Sequence, residues 1–438
     1  MPPLHIVSCI NFILKMKTHN KIPRIVIVGC GFGGLTLAKE LSKLKFEILL
    51  VDKHNYHTFQ PLLYQVATGG LEADNIAHPV RKIFRKMNNV FFRMAEVISV
   101  DEREKIVKTT IGDLSYDYLV LAMGSTNNYF DFEPVKDQLL PLKSLTDAFN
   151  IRSQIMQNLE RSLIIENPLE QEEAVNVAII GGGPAGLELA GAIAEMKKYV
   201  LPRDFPELNL TRMHIYLFEA SPRLLSVMSE EASNHAFRYL ENLGIIIKTA
   251  ARVKSYDGSQ LILENGESIK TDTVIWTAGV KPVMIAGINQ DGYLAGKRLQ
   301  VDAFNRLIGS TYIYAIGDIA AYSSEDQPKG LPMLAPVAIQ QAKHLAKNFK
   351  LLLSGDPILP FIYKDKGVMA TIGRKRAVVD LPKWKFQGLF AWFVWMFIHI
   401  MSLIGFRNKL RTFIDWSGSY FNYDKPLGII IPGFKRVD

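Results

Sequence analysis

The stretch that decides the fold runs from Arg24 to Asp52 and reads RIVIVGCGFGGLTLAKELSKLKFEILLVD. It opens with a β-branched run over Arg24–Gly29, which is typical of a strand buried on both faces. A glycine-rich turn follows, then a helical pattern over Leu35–Leu44 and a second buried strand over Phe46–Asp52. Together they predict a βαβ unit of about 30 residues, which is the unit that a dinucleotide-binding fold requires.

The glycine turn matches Gly-x-Gly-x-x-Gly at Gly29, Gly31 and Gly34. The first glycine makes the tight turn, the second lets the backbone approach a pyrophosphate, and the third lets helix and strand pack closely. Free N–H groups at the helix N-terminus then hold the phosphates. Asp52 stands eighteen positions after Gly34, where its carboxylate would accept hydrogen bonds from a ribose, and Lys53 is a further candidate contact.

The same pattern recurs in the second half of the chain. A strand over Val175–Gly181 leads into a helix over Leu187–Lys198, and the strand His214–Glu219 follows after an apparent insertion at Tyr199–Leu210. The glycines of this second turn are Gly181, Gly183 and Gly186. Glu219 would repel a 2′-phosphate, so we expect NADH rather than NADPH at this second site.

Three further buried strands end in small or acidic residues: Tyr118–Gly124, Thr273–Gly279 and Ile313–Asp318. Glu166–Glu173 is acidic, lacks periodicity and contains a proline, which predicts a surface loop before the second unit. Residues 1–21 read as a leader without secretory features, and Met16 is an alternative start.

The cysteine content excludes several classes of protein. Only Cys9 and Cys30 are present, so a disulfide scaffold, a zinc site and a Cys-x-x-Cys redox pair are all excluded. Cys30 lies inside the first glycine turn, where we expect a small buried residue rather than a nucleophile. No metal site is predicted.

Positive charge concentrates near the C-terminus. Of the net charge of +8, a net +7 comes from one window with a single acid, Asp380, whose basic residues are Arg374, Lys375, Arg376, Lys383, Lys385, Arg407, Lys409 and Arg411. Because these residues flank the uncharged run Phe386–Phe406, they favour an anionic membrane surface over a nucleic acid as the partner.

The run Phe386–Phe406 is long enough to span a bilayer. Basic residues at both of its ends nevertheless favour a segment lying in the membrane interface. A true span, or burial in a dimer or core, stays open. One predicted helical face carries Gly388, Trp392, Trp395, His399 and Ser402, and the opposite face carries Phe390, Val394, Phe397 and Met401. We expect His399 to pack rather than to bind a metal.

The paired glycine turns resemble those of the two-dinucleotide-binding-domain flavoproteins, the glutathione-reductase-like fold. The resemblance implies non-covalently bound FAD at the first turn and NADH at the second, in a domain inserted into the first. Ala122-Met-Gly124 and Thr277-Ala-Gly279 resemble the strand-end turns that accompany the two nucleotides in this fold. Gly317 and Asp318 resemble its late flavin motif, whose acid binds the ribityl chain.

More specific stretches resemble the type II NADH dehydrogenases, which are non-pumping NADH:quinone oxidoreductases. Phe59–Gly69 resembles their flavin-contacting segment, and the resemblance makes Gln60, Pro61 and Leu62 candidate FAD contacts. Other matching stretches are Ile76–Arg81, Trp276–Val280, Gly405–Asn408 and the aromatic tail at Trp416, Tyr420 and Tyr423.

The resemblance also implies catalytic and quinone-side residues. Glu188 would lie where the nicotinamide and quinone sites approach the flavin, and Gln340 and Gln341 would lie on the quinone side. In the family's Ala-Gln-x-Ala-x-Gln segment, Pro336 replaces the first glutamine here, so the role of that side chain does not carry over. A helix-stabilising role for Glu188 and an exposed helix position for Gln340 are the structural alternatives.

These observations predict an α/β protein with an FAD domain at 22–145 and 295–360, an NADH domain at 146–294 and a membrane-anchoring region at 361–438. It would pass electrons from NADH through FAD to a membrane quinone in respiratory electron transport, without proton pumping. We expect peripheral attachment to a membrane (the cytoplasmic face of the inner membrane in a bacterium) and allow for a homodimer. The alternatives are a soluble ferredoxin- or rubredoxin-type reductase and a low-turnover FAD- and NAD-binding interaction protein.

Overall fold

The computed structural model describes residues 22–288, 293–294, 297–323, 330–422 and 430. The predicted leader, with both candidate start methionines, and the aromatic residue Tyr423 lie outside the described residues. The chain forms two compact units. The first comprises residues up to His57, His78–Thr126 and Val280–Asp365, and the second comprises Thr58–Ala77, Asn127–Gly279 and the chain from Lys366 onward.

The first unit is built on a five-stranded parallel sheet with the first glycine-turn strand at its centre. In spatial order its strands are Ile313–Ala315, Tyr118–Leu121, Arg24–Val28, Glu47–Asp52 and Val90–Met94. The helices Phe32–Leu41 and Ala335–Ser354 pack against each other. The central strand is a continuous apolar run because it is buried on both faces.

The second unit repeats this plan around the second glycine turn. Its parallel strands, in spatial order, are Leu140–Pro141, Thr273–Trp276, Val177–Ile180, Ile215–Phe218 and Ile246–Lys248. Its longer helices are Leu145–Ser162, Pro168–Val175, Pro184–Tyr199 and Glu230–Glu241. The two predicted Rossmann-like sheets are therefore confirmed. For most of the strand ends, the predicted and observed limits differ by no more than two residues.

Smaller elements complete both units. The first holds an antiparallel sheet of Val97–Asp101, Ile106–Thr109 and Gly112–Ser115, a small sheet of Tyr293–Leu294, Arg298–Gln300 and Ala320–Ala321, and the helix Val80–Ile83. The second holds the sheet Val253–Tyr256, Gln260–Leu263 and Ser268–Lys270, and the short helices Leu63–Ala67, Ala73–Ile76 and Leu201–Asp204.

The loop predicted over Glu166–Glu173 is wrong, because Pro168–Val175 is a helix. The Asn167 side chain accepts a hydrogen bond from the N–H of Leu169, and Pro168 occupies the first helical position. Both residues favour the start of a helix, so the turn residues that suggested a loop are helix-capping residues.

The apolar run Phe386–Phe406 does not form one long segment. Its first residues belong to Lys385–Gly388, which pairs with Ala377–Asp380 in an antiparallel sheet completed by Val368–Thr371. A helix then covers only Leu389–Ser402, and Gly388 precedes it with φ +83°, outside the predicted helical face. A second helix covers Phe406–Asn422. No helix in the described part of the chain is both long and apolar enough to cross a membrane.

The domain limits drawn from the sequence differ from the two compact units. Thr58–Ala77 groups with the second unit because its helix, Leu63–Ala67, packs against Leu145–Ser162 and Pro184–Tyr199. The C-terminal sheet and helices also group with that unit.

Candidate active site

The first glycine turn is shaped by close backbone contacts. A side chain at Gly29 would place its Cβ 2.4 Å from the carbonyl oxygen of Ala122, and one at Gly34 would lie 1.8 Å from the carbonyl oxygen of Gly29. By contrast, among the described residues no atom beyond Gly31 and its chain neighbours lies within 4 Å of where a Cβ at Gly31 would be. The turn is therefore tightly packed at Gly29 and Gly34. At Gly31, next to the start of the helix Phe32–Leu41, it is open.

Asp52 is held against this turn. Its Oδ2 accepts a hydrogen bond from the N–H of Cys30 at 2.6 Å, and its Oδ1 accepts one from the N–H of His54 at 2.8 Å. Cys30 is buried, and burial raises the pKa of its thiol, as expected for a packing residue. Nδ1 of the buried His57 lies 2.8 Å from the Cys30 carbonyl oxygen, and burial lowers the pKa of this imidazole to about 4. Lys53 is exposed.

The late flavin motif lies in the same unit. Ser125 Oγ donates a hydrogen bond to Asp318 Oδ2 at 2.5 Å. Gly317 donates its N–H to Oε1 of the buried Gln341 at 2.8 Å, and the Gln341 amide donates to Asn305 Oδ1 at 2.9 Å. Among the other predicted contacts, Ala122 is buried, and Gly124 has φ +71°.

These residues fit a dinucleotide such as FAD. The helix Phe32–Leu41 has no side-chain cap and no acid in its first turn, so its first N–H groups are available to a phosphate above Gly31. Asp52 stands at the adjacent strand end and keeps acceptor capacity for hydroxyl groups.

The second glycine turn repeats this geometry. A Cβ at Gly186 would lie 1.9 Å from the carbonyl oxygen of Gly181, whereas the space above Gly183 is open. Glu219 accepts hydrogen bonds from the N–H groups of Gly182 and Ser221, each at 2.7 Å. At the predicted strand-end turn, a Cβ at Gly279 would approach the ring of Phe130 to 3.2 Å. The second turn therefore offers a nucleotide the same open helix start and the same strand-end acid.

A solvent-accessible cavity lies in the second unit. Its walls combine aromatic and polar side chains: Tyr64, Gln65, Thr68, Gly70, Glu188, Ala192, Glu195, Thr371, Gly373, Arg374, Trp392, Trp395 and Trp416. Aromatic surfaces combined with hydrogen-bonding groups are typical of a small-molecule site. We name it the tryptophan-lined cavity.

Glu188 is the buried acid of this cavity. It is the fifth residue of the helix Pro184–Tyr199, which begins at the second glycine turn. Its Oε1 accepts a hydrogen bond from the N–H of Thr371 at 3.2 Å. Burial raises the pKa of Glu188 to about 8, outweighing the opposite effects of the Thr371 N–H and of the nearby Trp395 indole. The Trp395 N–H forms no hydrogen bond with any described residue.

The turn between Val368–Thr371 and Ala377–Asp380 is fixed to the helix that carries Glu188. A Cβ at Gly191 would come within 2.8 Å of the backbone nitrogen of Gly373. Two turns of helix after Glu188, Glu195 accepts a hydrogen bond from the N–H of Arg374, whose Nε lies 3.8 Å from its other oxygen. Glu188, Gly191 and Glu195 therefore hold one wall of the cavity along a single helix face.

The predicted quinone-side glutamines make hydrogen bonds within the first unit. Gln340 is half-buried, donating to the carbonyl oxygen of Lys364 at 2.9 Å and accepting from the N–H of the same residue at 3.1 Å. The Gln341 amide is bonded beneath Gly317, as described above. Neither glutamine is among the residues that line the tryptophan-lined cavity.

The remaining candidate FAD contacts, Gln60, Pro61 and Leu62, are adjacent in the chain and differ in exposure. Gln60–Leu62 is a single 3₁₀ turn with Gln60 exposed, Pro61 half-buried and Leu62 buried. The polar cavity residues that sequence reasoning did not assign to a site are Thr371, Glu195 and Arg374. No local motif marks them, because they meet only when a hairpin far along the chain packs on the helix of the second glycine turn.

Comparisons with known proteins agree with this geometry. Residues 23–342 match the family model for pyridine nucleotide-disulphide oxidoreductases, and residues 366–422 match that for the NDH2 C-terminal domain. The Mycobacterium tuberculosis protein named type II NADH:quinone oxidoreductase Ndh is 31% identical, covering 91% of this chain and 88% of the relative. The chain belongs to the type II NADH:quinone oxidoreductases.

A second relative supports this family assignment, and a solved structure shares the fold. A probable NADH dehydrogenase of Dictyostelium discoideum is 30% identical over 92% of this chain and 91% of its own length. A solved structure of NDH2 from Plasmodium falciparum in complex with NADH has the same fold, with a TM-score of 0.85, 22% identity, and 93% of this chain and all of that chain covered. Membership of the type II NADH:quinone oxidoreductases confirms the predicted reaction class, with FAD as the cofactor, over the two alternatives.

Proposed function

We propose that this type II NADH:quinone oxidoreductase oxidises NADH at the second glycine turn and reduces a quinone in the tryptophan-lined cavity. The observation that carries the proposal is one helix, Pro184–Tyr199. It begins at the nucleotide-binding glycines and presents Glu188 to the cavity wall four residues later. FAD, held at the first glycine turn and by Asp52, would supply the two-electron redox chemistry that links NADH oxidation to quinone reduction.

The chain's own residues bind and orient the substrates and hold a proton. Gly181, Gly183 and Gly186 form the cradle for the pyrophosphate of NADH, and Glu219 is placed for its ribose. Because the pKa of Glu188 is about 8, its carboxyl group carries a proton at pH 7. The overall reaction, NADH plus H⁺ plus quinone giving NAD⁺ plus quinol, consumes a proton, and we assign its delivery into the cavity to Glu188.

Stopped-flow mixing of the FAD-loaded protein tests this division of labour. With NADH alone and no oxygen, the flavin absorbance should bleach; a short-chain quinone should then restore it. Glu188→Gln should leave the NADH step near the wild-type rate and slow reoxidation by quinone about tenfold or more. Failure of NADH to bleach the flavin would reject the proposed function, and equal slowing of both steps would reject the role of Glu188.

Gln340 and Gln341 have separate proposed roles. The Gln341 side chain accepts a hydrogen bond from the N–H of Gly317, so we propose that it fixes the orientation of the flavin motif Gly317-Asp318. The quinone-side role of Gln340 stays a prediction, since both ends of its amide bond the backbone of Lys364.

We also propose that the C-terminal helices attach the chain to a lipid surface. Phe390, Phe397 and Met401 are 58%, 65% and 53% exposed, on the apolar side of Leu389–Ser402 that the sequence predicted. Leu410, Phe413 and Ile414 are likewise exposed on the helix Phe406–Asn422, and Trp384 stands beside the exposed Lys383 and Lys385. Exposed aromatic residues flanked by lysines are typical of interfacial attachment. The membrane face and the homodimer stay predictions.

Vesicle co-sedimentation tests the attachment. The double variant Phe390→Ser/Phe397→Ser should weaken binding to anionic vesicles at least about tenfold, because each phenylalanine contributes roughly 1.5–3 kcal/mol when buried. Ile164→Ser, at a position that is 82% exposed outside the C-terminal helices, is the matched control and should bind like the wild type. Equal binding of all three proteins would reject the attachment surface.

A further inference from the structure

Three side chains in the wall of the tryptophan-lined cavity, Trp416, Gln65 and Tyr64, form a chain of hydrogen bonds that runs in one direction. We call this chain the array. Trp416 Nε1 donates to Gln65 Oε1 at 2.6 Å, and Gln65 Nε2 donates to the hydroxyl oxygen of Tyr64 at 2.8 Å. All three residues line the cavity. Trp416 comes from the C-terminal helix Phe406–Asn422, whereas Tyr64 and Gln65 lie on the short helix Leu63–Ala67.

The chemistry of these groups fixes the direction of the array. An indole N–H can only donate, so the Gln65 atom that faces Trp416 must be the amide oxygen. The amide nitrogen then faces Tyr64, and the Tyr64 oxygen is obliged to accept. The phenolic proton of Tyr64 must therefore point away from Gln65.

No described residue receives that proton. Tyr64 is 5% exposed, and its hydroxyl makes no hydrogen bond other than the one it accepts from Gln65. A buried hydroxyl with an unused donor costs free energy unless a ligand or water supplies an acceptor. Loss of the proton does not resolve this cost, because burial and the nearby Glu188 raise the pKa of the phenol well above 10.

We propose that Tyr64 donates a hydrogen bond to a carbonyl oxygen of the quinone ring, and that Gln65 and Trp416 are the positioning residues that aim its proton into the cavity. The inference rests on the proposed quinone site and adds the group that recognises the quinone. A planar, acceptor-only carbonyl suits a neutral donor in a cavity lined by Trp392, Trp395 and Trp416. Tyr64 binds the oxidised substrate, while proton delivery remains with Glu188.

Two substitutions of nearly unchanged size test the array. Tyr64→Phe removes the donor. Gln65→Glu keeps the shape but replaces the amide with a carboxylate, which accepts from both neighbours and draws the phenolic proton away from the cavity. Tyr239→Phe is the matched control, because Tyr239 lies on the helix Glu230–Glu241 and contacts Arg376 only through its ring face.

The experiment uses the FAD-loaded full-length protein and a short-chain benzoquinone. Both variants should raise the KM for the quinone about three- to tenfold, the usual range for one neutral hydrogen bond, with kcat close to the wild type. Quinone affinity measured by quenching of tryptophan fluorescence should fall by the same factor. The rate at which NADH bleaches the flavin should not change, and Tyr239→Phe should match the wild type in all three measurements.

The outcomes separate this inference from the proposed function. If the wild type does not reduce quinone, both the proposed function and this inference are rejected. If the wild type turns over and both variants keep the wild-type KM and quenching constant, the array is overturned and the proposed function stands. If the variants slow flavin bleaching by NADH as much as they affect quinone, Tyr64 has a structural role only and the inference is overturned.

Discussion

The carboxylate of Glu188 accepts a hydrogen bond from the backbone N–H of Thr371, although 183 positions separate the two residues in the chain. This bond connects the helix of the second glycine turn to the C-terminal antiparallel sheet. A single buried acid thus has two roles, as a structural acceptor and as an ionisable group of the cavity.

The raised pKa of Glu188 predicts a particular pH dependence of stability. Between the ordinary value of 4.5 and the native value of about 8, the folded protein keeps a proton that the unfolded chain has lost. The contribution of Glu188 to the free energy of unfolding is fully present below pH 4.5. It is lost as the pH rises to 8, at up to about 1.4 kcal/mol per pH unit. Glu188→Gln should therefore flatten the decline in melting temperature between pH 5 and pH 8.

Thermal unfolding of the two proteins across that pH range is the measurement. The glutamine keeps an acceptor for the N–H of Thr371, so the variant should fold normally at pH 5. Parallel curves for the two proteins from pH 5 to pH 8 would contradict the raised pKa.

The contact between Gly191 and the hairpin turn predicts sensitivity to a single methyl group. A Cβ at Gly191 would lie 2.8 Å from the backbone nitrogen of Gly373, so Gly191→Ala must displace the turn that carries Thr371 and Arg374. We expect a loss of about 1–3 kcal/mol in the free energy of unfolding. Quinone turnover should fall more than the NADH step.

Gly418→Ala is the matched control for this substitution. Gly418 is also a helical glycine, and outside its own helix backbone its Cβ would meet no atom of a described residue within 4 Å. Replacing a glycine in a helix interior with alanine should stabilise by about 0.5–1 kcal/mol. Chemical denaturation measures the free energy of unfolding of both variants. Equal changes in this free energy would show that the hairpin turn does not contact Gly191 closely.

The sequence predicted the two parallel sheets and both glycine turns because their determinants are local. Strand, turn, helix and acid follow one another within each βαβ unit, and Gly29, Gly34, Gly181 and Gly186 each have a close backbone contact that excludes a side chain. The acids were identified for the same reason, since Asp52 and Glu219 end the strands beside the turns and bond their N–H groups.

The cavity could not be derived in this way, because its walls come from distant parts of the chain. Tyr64 was identified only within a family motif, and its directed hydrogen bond depends on Trp416, 352 positions later. The extent of the helical segment within Phe386–Phe406 was wrong for a related reason. Its composition suits one continuous segment, but pairing with Ala377–Asp380 places its first residues in a sheet.

The position of Glu219 predicts which nucleotide is used. Its carboxylate stands over the N–H of Gly182, where the negative charge of a 2′-phosphate would be repelled. Glu219→Gln keeps an acceptor of the same length and removes the charge, so the ratio of kcat/KM for NADH to that for NADPH should fall about tenfold. Steady-state kinetics with a fixed quinone measure this ratio. An unchanged ratio would mean that Glu219 does not face the 2′ position.

The two kinds of glycine in the first turn should respond differently to alanine. At Gly34 the added Cβ would overlap the Gly29 carbonyl at 1.8 Å, so Gly34→Ala should destabilise the protein even without FAD. At Gly31 the Cβ would enter open space, so Gly31→Ala should leave the melting temperature of the FAD-free protein within a few degrees of the wild type. The same methyl group would occupy the space of the pyrophosphate, so FAD affinity should fall at least about tenfold.

Titration of FAD-free protein with FAD, followed by flavin fluorescence, measures the affinity, and thermal unfolding of the same samples measures the stability. The two substitutions add the same methyl group three residues apart, so any difference between them reports what lies above each glycine. If Gly31→Ala bound FAD as the wild type does, the phosphates would not sit over this turn. If it unfolded as readily as Gly34→Ala, the space above Gly31 would not be open in solution.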